Sequence, residues 1–341
     1  MHRRQELQNR FTDVAGLRVG HAVDLASASG VTVIVCDRPT LAAVDVRGGG
    51  PASRELDVLR PENLVQHVDA VTFSGGSVYG LAAADGVTQW CRENGRGFRL
   101  AHVDGVPPSP IVPCACLYDL ANGGHKTWAS EPPYRRLGRD AAEKASADME
   151  VGSVGAGFGA RAGALLGGVG SASSMIHDLG MVSALAVVNS FGSVVVPGSR
   201  AFWAAPFELG DEFGGVAPAR CEGADEWGLA KVSAKAGENT TLACVATDVA
   251  LTRVELKRIA IMAQDGCARA IRPVHTPFDG DIVFALSTSA TEIPEGIDRA
   301  WAVTRIGSRA ADTLARAIAR GVFSATPGPG RPGTAWRDLV P

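Results

Sequence analysis

The sequence predicts an α/β (α+β) fold, because short β-branched runs alternate with alanine-rich segments of helical length and glycine clusters separate them. Residues 31–36 and 70–73 are compact β-branched runs, whereas 78–93 is long and alanine-rich enough for a helix. Gly48-Gly-Gly-Pro51 and Ser74-Gly-Gly-Ser77 punctuate them. The apolar run 111–118 is a further strand candidate, after which Tyr118-Asp119 opens a glycine-rich turn. Eight glycines lie between 152 and 170, followed by a strong strand at 184–188 that ends on Asn189 and Ser190. A less apolar stretch, 206–236, carries Glu208, Asp211, Glu212, Glu222, Asp225 and Glu226 and is expected to be a surface excursion. Beyond it the pattern gives a strand at 242–249, a helix at 253–269, a strand at 282–286 and a helix at 297–322, with a turn-rich tail at 326–333. No internal repeat is visible.

Composition narrows the function classes. With 341 residues, 46% hydrophobic, the chain can bury a large core. A net charge of -3 without blocks of like charge gives no footprint for nucleic acid or an anionic membrane, so small molecules or further copies of the chain are the expected partners. The polar N-terminus and the lack of 18 uninterrupted apolar residues argue against a secretion signal or membrane span. Seven cysteines with no Cys-x-x-Cys pair are expected to be reduced packing residues, which fits a cytoplasmic protein.

The segment 236–248 places Thr240 and Thr241 between a polar Gly-Glu-Asn turn and an apolar run. A threonine hydroxyl needs an adjacent base, and an N-terminal threonine carries one in its own α-amine. A free α-amine has a pKa of ~7.7–8.0, so part of it is neutral near physiological pH. Such a residue must be exposed by cutting, and Asn239-Thr240 is the expected junction. On propensity alone the same residues make an ordinary turn into a sheet.

Asp279 and Asp281 flank Gly280 at the mouth of the strand at 282–286, where two carboxylates could hold an ammonium or polarise a hydroxyl. An Asp-Gly turn is the simpler reading of the same residues. His275 with these aspartates lacks a second ligand pair, so no metal is expected. The glycines around Gly155-Ala-Gly-Phe-Gly159 do not give a dinucleotide or phosphate loop, so no cofactor is expected either. Asn189 and Tyr118, both at strand ends, could donate to an oxyanion, or serve as satisfied structural groups. The absence of a Gly-x-Ser-x-Gly elbow disfavours Ser-His-Asp hydrolysis.

Seven ordered segments together resemble a known family: the self-processing N-terminal-nucleophile amidohydrolases, comprising L-aminopeptidase/D-esterases, β-peptidyl aminopeptidases and nylon-oligomer hydrolases. They are Phe11-Thr-Asp-Val-Ala-Gly-Leu-Arg-Val-Gly-His21, Val44-Asp-Val-Arg-Gly-Gly49, Ser74-Gly-Gly-Ser-Val-Tyr-Gly-Leu81, Gly155-Ala-Gly157, Val188-Asn189, Glu238-Asn-Thr-Thr241 and His275-Thr-Pro-Phe-Asp-Gly-Asp281. The resemblance implies a four-layer αββα sandwich of the kind also found in ornithine acetyltransferases. It implies a single domain, 1–341, cut into an α chain, 1–239, and a β chain, 240–341, with tetrameric assembly of αβ units. By position Thr240 matches the nucleophile, Asn189 and Tyr118 match oxyanion or transition-state support, and Asp279 and Asp281 match the acidic pair that orients the nucleophile's amine. The Asn-Thr junction and the Asp-Gly-Asp loop look most like the nylon-oligomer branch.

The implied activity is autoproteolytic hydrolysis of short linear amides, either 6-aminohexanoate-type oligomers or peptides. An aminopeptidase or β-peptidase of the same family, an acyltransferase of the ornithine-acetyltransferase type, and an uncut binding or scaffold protein remain the alternatives. Many relatives place a lysine in the glycine-rich segment, but this chain reads Gly163-Ala-Leu-Leu-Gly-Gly168 and has no lysine between Lys144 and Lys231. Slower processing, or use of another cation such as Arg161, is the expected consequence.

Overall fold

The computed structural model describes residues 7–100, 103–221, 223, 227–231 and 239–340. Its strands are β1 (Leu17–Asp24), β2 (Ser29–Val46), β3 (Ala52–Arg54), β4 (His67–Ser74), β5 (Cys114–Cys116), β6 (Arg161–Ala162), β7 (Leu165–Leu166), β8 (Val169–Ile176), β9 (Gly180–Asn189), β10 (Thr240–Val249) and β11 (Ile282–Thr291). The α-helices among the described residues are α1 (Ala83–Glu93), α2 (Tyr134–Glu143), α3 (Arg253–Ala270) and α4 (Arg299–Phe323).

The hydrogen-bonded order is β3-β5-β4-β2-β11-β10-β9-β8, with β1 also paired to β2. The 18-residue β2 is what joins two layers into this ladder. Its first half pairs with β1 and β4, its second half pairs with β11, and the register against β4 shifts between Val35 and Thr40. Side-chain alternation along the strands then separates three apolar interiors. Ala184, Ala186, Val188, Ala243, Val245, Val283 and Ala285 face the helix pair α3 and α4. Leu185, Val187, Leu242, Cys244, Phe284 and Leu286 point the other way, against Ile34, Val71, Phe73 and Ala115. Val31, Val33, Val35, Ala70, Cys114 and Cys116 cover the far side beneath α1 and α2. Helix, sheet, sheet, helix is therefore the order of layers, as the four-layer αββα expectation had it.

Small residues allow the helices to lie close. A Cβ at Gly20 of β1 would stand 1.9 Å from the Ala141 carbonyl of α2, and one at Gly170 of β8 would stand 1.8 Å from the Ala317 carbonyl of α4. Thr252 and Glu255 form a reciprocal capping box at the start of α3, and Asp298 accepts from the Trp301 N–H at the start of α4. No described helix is long and apolar enough to cross a membrane.

Several elements differ from the sequence expectation. The expected helix at 78–93 starts as a 3₁₀ turn, Ser77–Ala82, and becomes α-helical only from Ala83. The strand expected at 111–118 contracts to Cys114–Cys116, because Pro110 and Pro113 cannot donate to a ladder. The acidic stretch after 206 is not all surface: the Glu212 carboxylate lies buried against Arg316 of α4, Oε1 to Nε 2.5 Å, and accepts from Asn9 Nδ2 at 2.5 Å. Its residues Glu222, Asp225 and Glu226 lie outside the described residues.

Candidate active site

Strand direction brings the expected site residues together. β9 runs antiparallel to β10, so the last residue of β9, Asn189, stands opposite the first residue of β10, Thr240. β11 runs parallel to β10 from Leu242↔Ile282 onward, so the loop that feeds it arrives at the same end, where Asn239 bridges to Asp279. The candidate nucleophile, the amide and the acidic pair thus share one edge of the same three strands.

Thr240 is only 2% exposed and Asn239 is fully buried. The Thr240 hydroxyl donates to the Asn239 carbonyl, and the Gly280 N–H donates to that same oxygen at 3.0 Å. Both polar atoms of the Asn239 side chain are buried and find no hydrogen-bond partner among the described residues. Glu238, the residue before it in the motif, lies outside the described residues.

The two carboxylates are held by many donors. Asp281 Oδ1 accepts from the Thr241 N–H at 2.7 Å, while its Oδ2 receives the His275 N–H at 3.1 Å and meets His275 Nδ1 at 2.8 Å. His275 adopts a positive φ of 55°, a backbone region that is uncommon for a non-glycine residue. Asp279 Oδ2 accepts from the Thr276 N–H at 2.9 Å and its hydroxyl at 2.7 Å, and Oδ1 accepts from the Phe191 N–H at 3.2 Å. Burial first, and the neighbouring Asp281 charge second, raise the Asp279 pKa above the usual carboxylate value.

The Gly48–50 segment seals the outside of this loop. Gly50 N–H donates to Asp279 O at 2.7 Å and Gly49 N–H to Thr276 O at 3.2 Å. A Cβ at Gly48 would fall 2.3 Å from the Asp281 nitrogen. Phe191 and Phe278 stack with ring centroids 5.6 Å apart, and Trp227 meets Phe191 edge-on at 6.0 Å, giving the loop an aromatic flank.

Asn189 is fully buried, and its amide orientation is fixed from both ends. Its Oδ1 accepts from the Arg161 N–H at 2.9 Å and from Asn122 Nδ2 at 3.2 Å, while its Nδ2 donates to the Tyr118 carbonyl at 3.0 Å. Tyr118 therefore meets Asn189 through its backbone. Asn122, which also donates to Gly159 O at 2.9 Å, was missed in the sequence, as were Thr276, Phe191 and Gly50. Three of these four act at the acidic loop through main-chain groups, wholly or in part, which leave no signature in residue type.

The Arg161 guanidinium turns away towards the Pro332 carbonyl, so it does not replace a lysine among these groups. Leu165 and Leu166 form β7, paired with Ala162 and Arg161 of β6, and are buried. Lys231 is tied by its backbone to Phe191 O at 2.9 Å. Among the described residues no cluster of three or more His, Cys, Asp or Glu side chains is placed to hold a metal ion.

Known proteins share both the sequence and the architecture. The chain is 45% identical over 353 residues to an uncharacterized aminopeptidase of Mycobacterium tuberculosis, an alignment covering 98% of each chain. It is 28% identical over 300 residues to the 6-aminohexanoate-oligomer endohydrolase of Paenarthrobacter ureafaciens, covering 83% of this chain and 76% of that one. Among solved structures, a Burkholderia beta-aminopeptidase superposes with a TM-score of 0.69 at 20% identity, over 97% of this chain and 92% of that chain. The L-aminopeptidase D-ala-esterase/amidase of Ochrobactrum anthropi, described as a variant of the Ntn hydrolase fold, superposes with a TM-score of 0.67 at 19% identity, over 93% and 86%. Residues 9–335 match Peptidase family S58; the chain belongs to that family and is a hydrolase of amide or peptide bonds.

Proposed function

We propose that this protein is an autoproteolytic N-terminal threonine amide hydrolase, cut between Asn239 and Thr240, that acts on short linear amides. The observation that carries this reading is the position of Thr240: first residue of a central strand, its hydroxyl against the carbonyl of the preceding residue and an acidic pair alongside. In the continuous chain the hydroxyl is buried, so the cut both creates the α-amine and opens access to it. That amine then serves as the base for the hydroxyl. Oγ attacks the substrate carbonyl, Asn189, its amide oriented by the Tyr118 carbonyl, supports the oxyanion, the ammonium protonates the leaving amine, and water releases the acyl group. Asp279 and Asp281 hold the Thr240 amine in place through the loop that they organise. Assembly of αβ units, as a tetramer in the cytoplasm, accompanies this reading.

Mass spectrometry of the purified protein under denaturing conditions, with N-terminal sequencing, tests it. Two chains, the smaller beginning Thr-Thr-Leu-Ala, are expected, and Thr240→Ala should leave one uncut chain without amidase activity. An active, uncut protein would reject the nucleophile assignment. Hydrolysis of amino-acid nitroanilides against release of 6-aminohexanoate from its oligomers separates the peptide and oligomer substrates, both suggested by the names of the relatives. Transfer of an acyl group to an amine in preference to water would place the chain with the acyltransferases.

A further inference from the structure

We infer that the two reactions of Thr240 use different oxyanion donors: the backbone N–H of Gly280 for cutting the chain, and the Asn189 amide for substrates. The inference rests on the function proposed above and assigns a role to a residue that has no side chain with which to advertise it.

The carbonyl under attack in the cutting reaction is that of Asn239, and Gly280 N–H already points at its oxygen at 3.0 Å. Effective oxyanion donors lie about 2.7–3.1 Å from the oxygen and need no rearrangement as charge develops. Gly280 is held still by its neighbours. Asn239 bridges Asp279, Asp279 O accepts from Gly50, and the Asp279 carboxylate is anchored by Thr276 and Phe191. Asn239 is fully buried, so the donor works where solvent does not compete.

The glycine is required for a second reason. A Cβ at position 280 would lie 2.7 Å from Thr240 Oγ1 and 2.9 Å from Gly50 O. Only a residue without a side chain places an N–H on the carbonyl while leaving the attacking hydroxyl its space. Asn189, by contrast, faces Thr240 across the ladder with its Nδ2 donating to Tyr118 O and its Oδ1 held by Arg161 and Asn122.

The cutting step balances without a co-reactant other than water. The Oγ1–C bond to Asn239 forms, charge gathers on the Asn239 oxygen beneath Gly280 N–H, and the C–N bond to Thr240 breaks. The hydroxyl proton passes to the departing nitrogen. Water then hydrolyses the ester, leaving the Asn239 carboxylic acid and a Thr240 with free hydroxyl and amine.

The experiment is a time course of cutting for Asn189→Ala and Gly280→Ala, read by denaturing mass spectrometry, with hydrolysis measured per cut chain. Gly280→Ala should slow cutting by ~100- to 1,000-fold, whereas Asn189→Ala should cut within about tenfold of the wild-type rate and lose ~100- to 1,000-fold in turnover. Thermal melting against the uncut Thr240→Ala chain checks that each variant is folded; if Gly280→Ala is not, cutting by Asn189→Ala decides the matter. Loss of cutting in Asn189→Ala, or wild-type cutting in Gly280→Ala, overturns the assignment while leaving the proposed function intact. A wild-type chain that never cuts overturns both.

Discussion

Asp281 and Asp119 are equally sealed from solvent, at 1% and 0% exposure, yet their surroundings differ in kind. Asp281 is met by three nitrogens, two of them backbone N–H groups, so its carboxylate is fixed as an acceptor on both oxygens. Asp119 accepts the Gly76 N–H at 2.8 Å and the Ser29 hydroxyl at 2.6 Å, with its own backbone N–H and the Lys126 charge also beside it. The Ser29 hydroxyl in turn receives the Tyr134 hydroxyl at 3.2 Å. Hydroxyls can reverse direction, whereas backbone amides cannot. Burial raises the Asp119 pKa, and its setting tolerates the neutral acid. One acid belongs to the loop beside Thr240, the proposed nucleophile, and the other to a packing junction where β2, α2 and the glycine segment 155–159 meet.

Substituting the two acids alike should expose this difference. Asp281→Asn sets an amide N–H₂ against a backbone N–H donor that meets a carboxylate oxygen in the wild type. The loop should lose roughly 1–3 kcal/mol of stability, read from the denaturant midpoint. Because the loop borders Thr240, turnover should also fall at least ~100-fold. Wild-type turnover in that variant would remove Asp281 from the catalytic arrangement.

Acid titration probes the glycine-segment side with the next largest effect. Burial, opposed by a backbone hydrogen bond at Glu150, lowers the His21 pKa from 6.5 to about 4. The imidazole is therefore neutral in the folded protein at pH values where the unfolded chain binds a proton. The contribution of neutral His21 to stability should be complete above pH 6.5 and be lost as pH falls towards 4, by roughly 1–3 kcal/mol. His21→Gln should flatten that limb of the melting profile; an unchanged slope would assign the acid sensitivity elsewhere.

The smallest effect should come from Asp119→Asn, in which the amide oxygen keeps Gly76 and the Ser29 hydroxyl turns to accept. A loss of about 0.5–1.5 kcal/mol with turnover within about tenfold of wild type is expected. Should this variant lose turnover as severely as Asp281→Asn, the distinction between the two acids fails.

The same contrast explains what can be read in the sequence. Thr240, Asp279 and Asp281 stand at the starts of β10 and β11, whose β-branched runs are unmistakable, so locating the strands locates the residues. The helix expected at 253–269 is observed as Arg253–Ala270, and that expected at 297–322 as Arg299–Phe323, because capping and apolar spacing agree. The Asp119 junction gathers residues 29, 76, 119, 134 and 159, and no local pattern links them. α2 is masked by its arginines and by Gly138, where a Cβ would stand 2.1 Å from the Ala83 carbonyl. β8, Val-Gly-Ser-Ala-Ser-Ser-Met-Ile, has little strand propensity of its own and owes its form to β9 on one edge and α4 above. Asn122 and Thr276 acquire their roles only once the backbone has placed acceptors before them.

The strand order carries one last consequence. β10 and β11 lie between β9 and β2, so the C-terminal part of the chain occupies the middle of the ladder with N-terminal strands on either side. Severing the backbone at Asn239 removes one covalent link but none of these flanking pairings. The two polypeptides would be interleaved like the leaves of a splice joint, copurifying as one particle under native conditions and separating only when the whole sandwich melts.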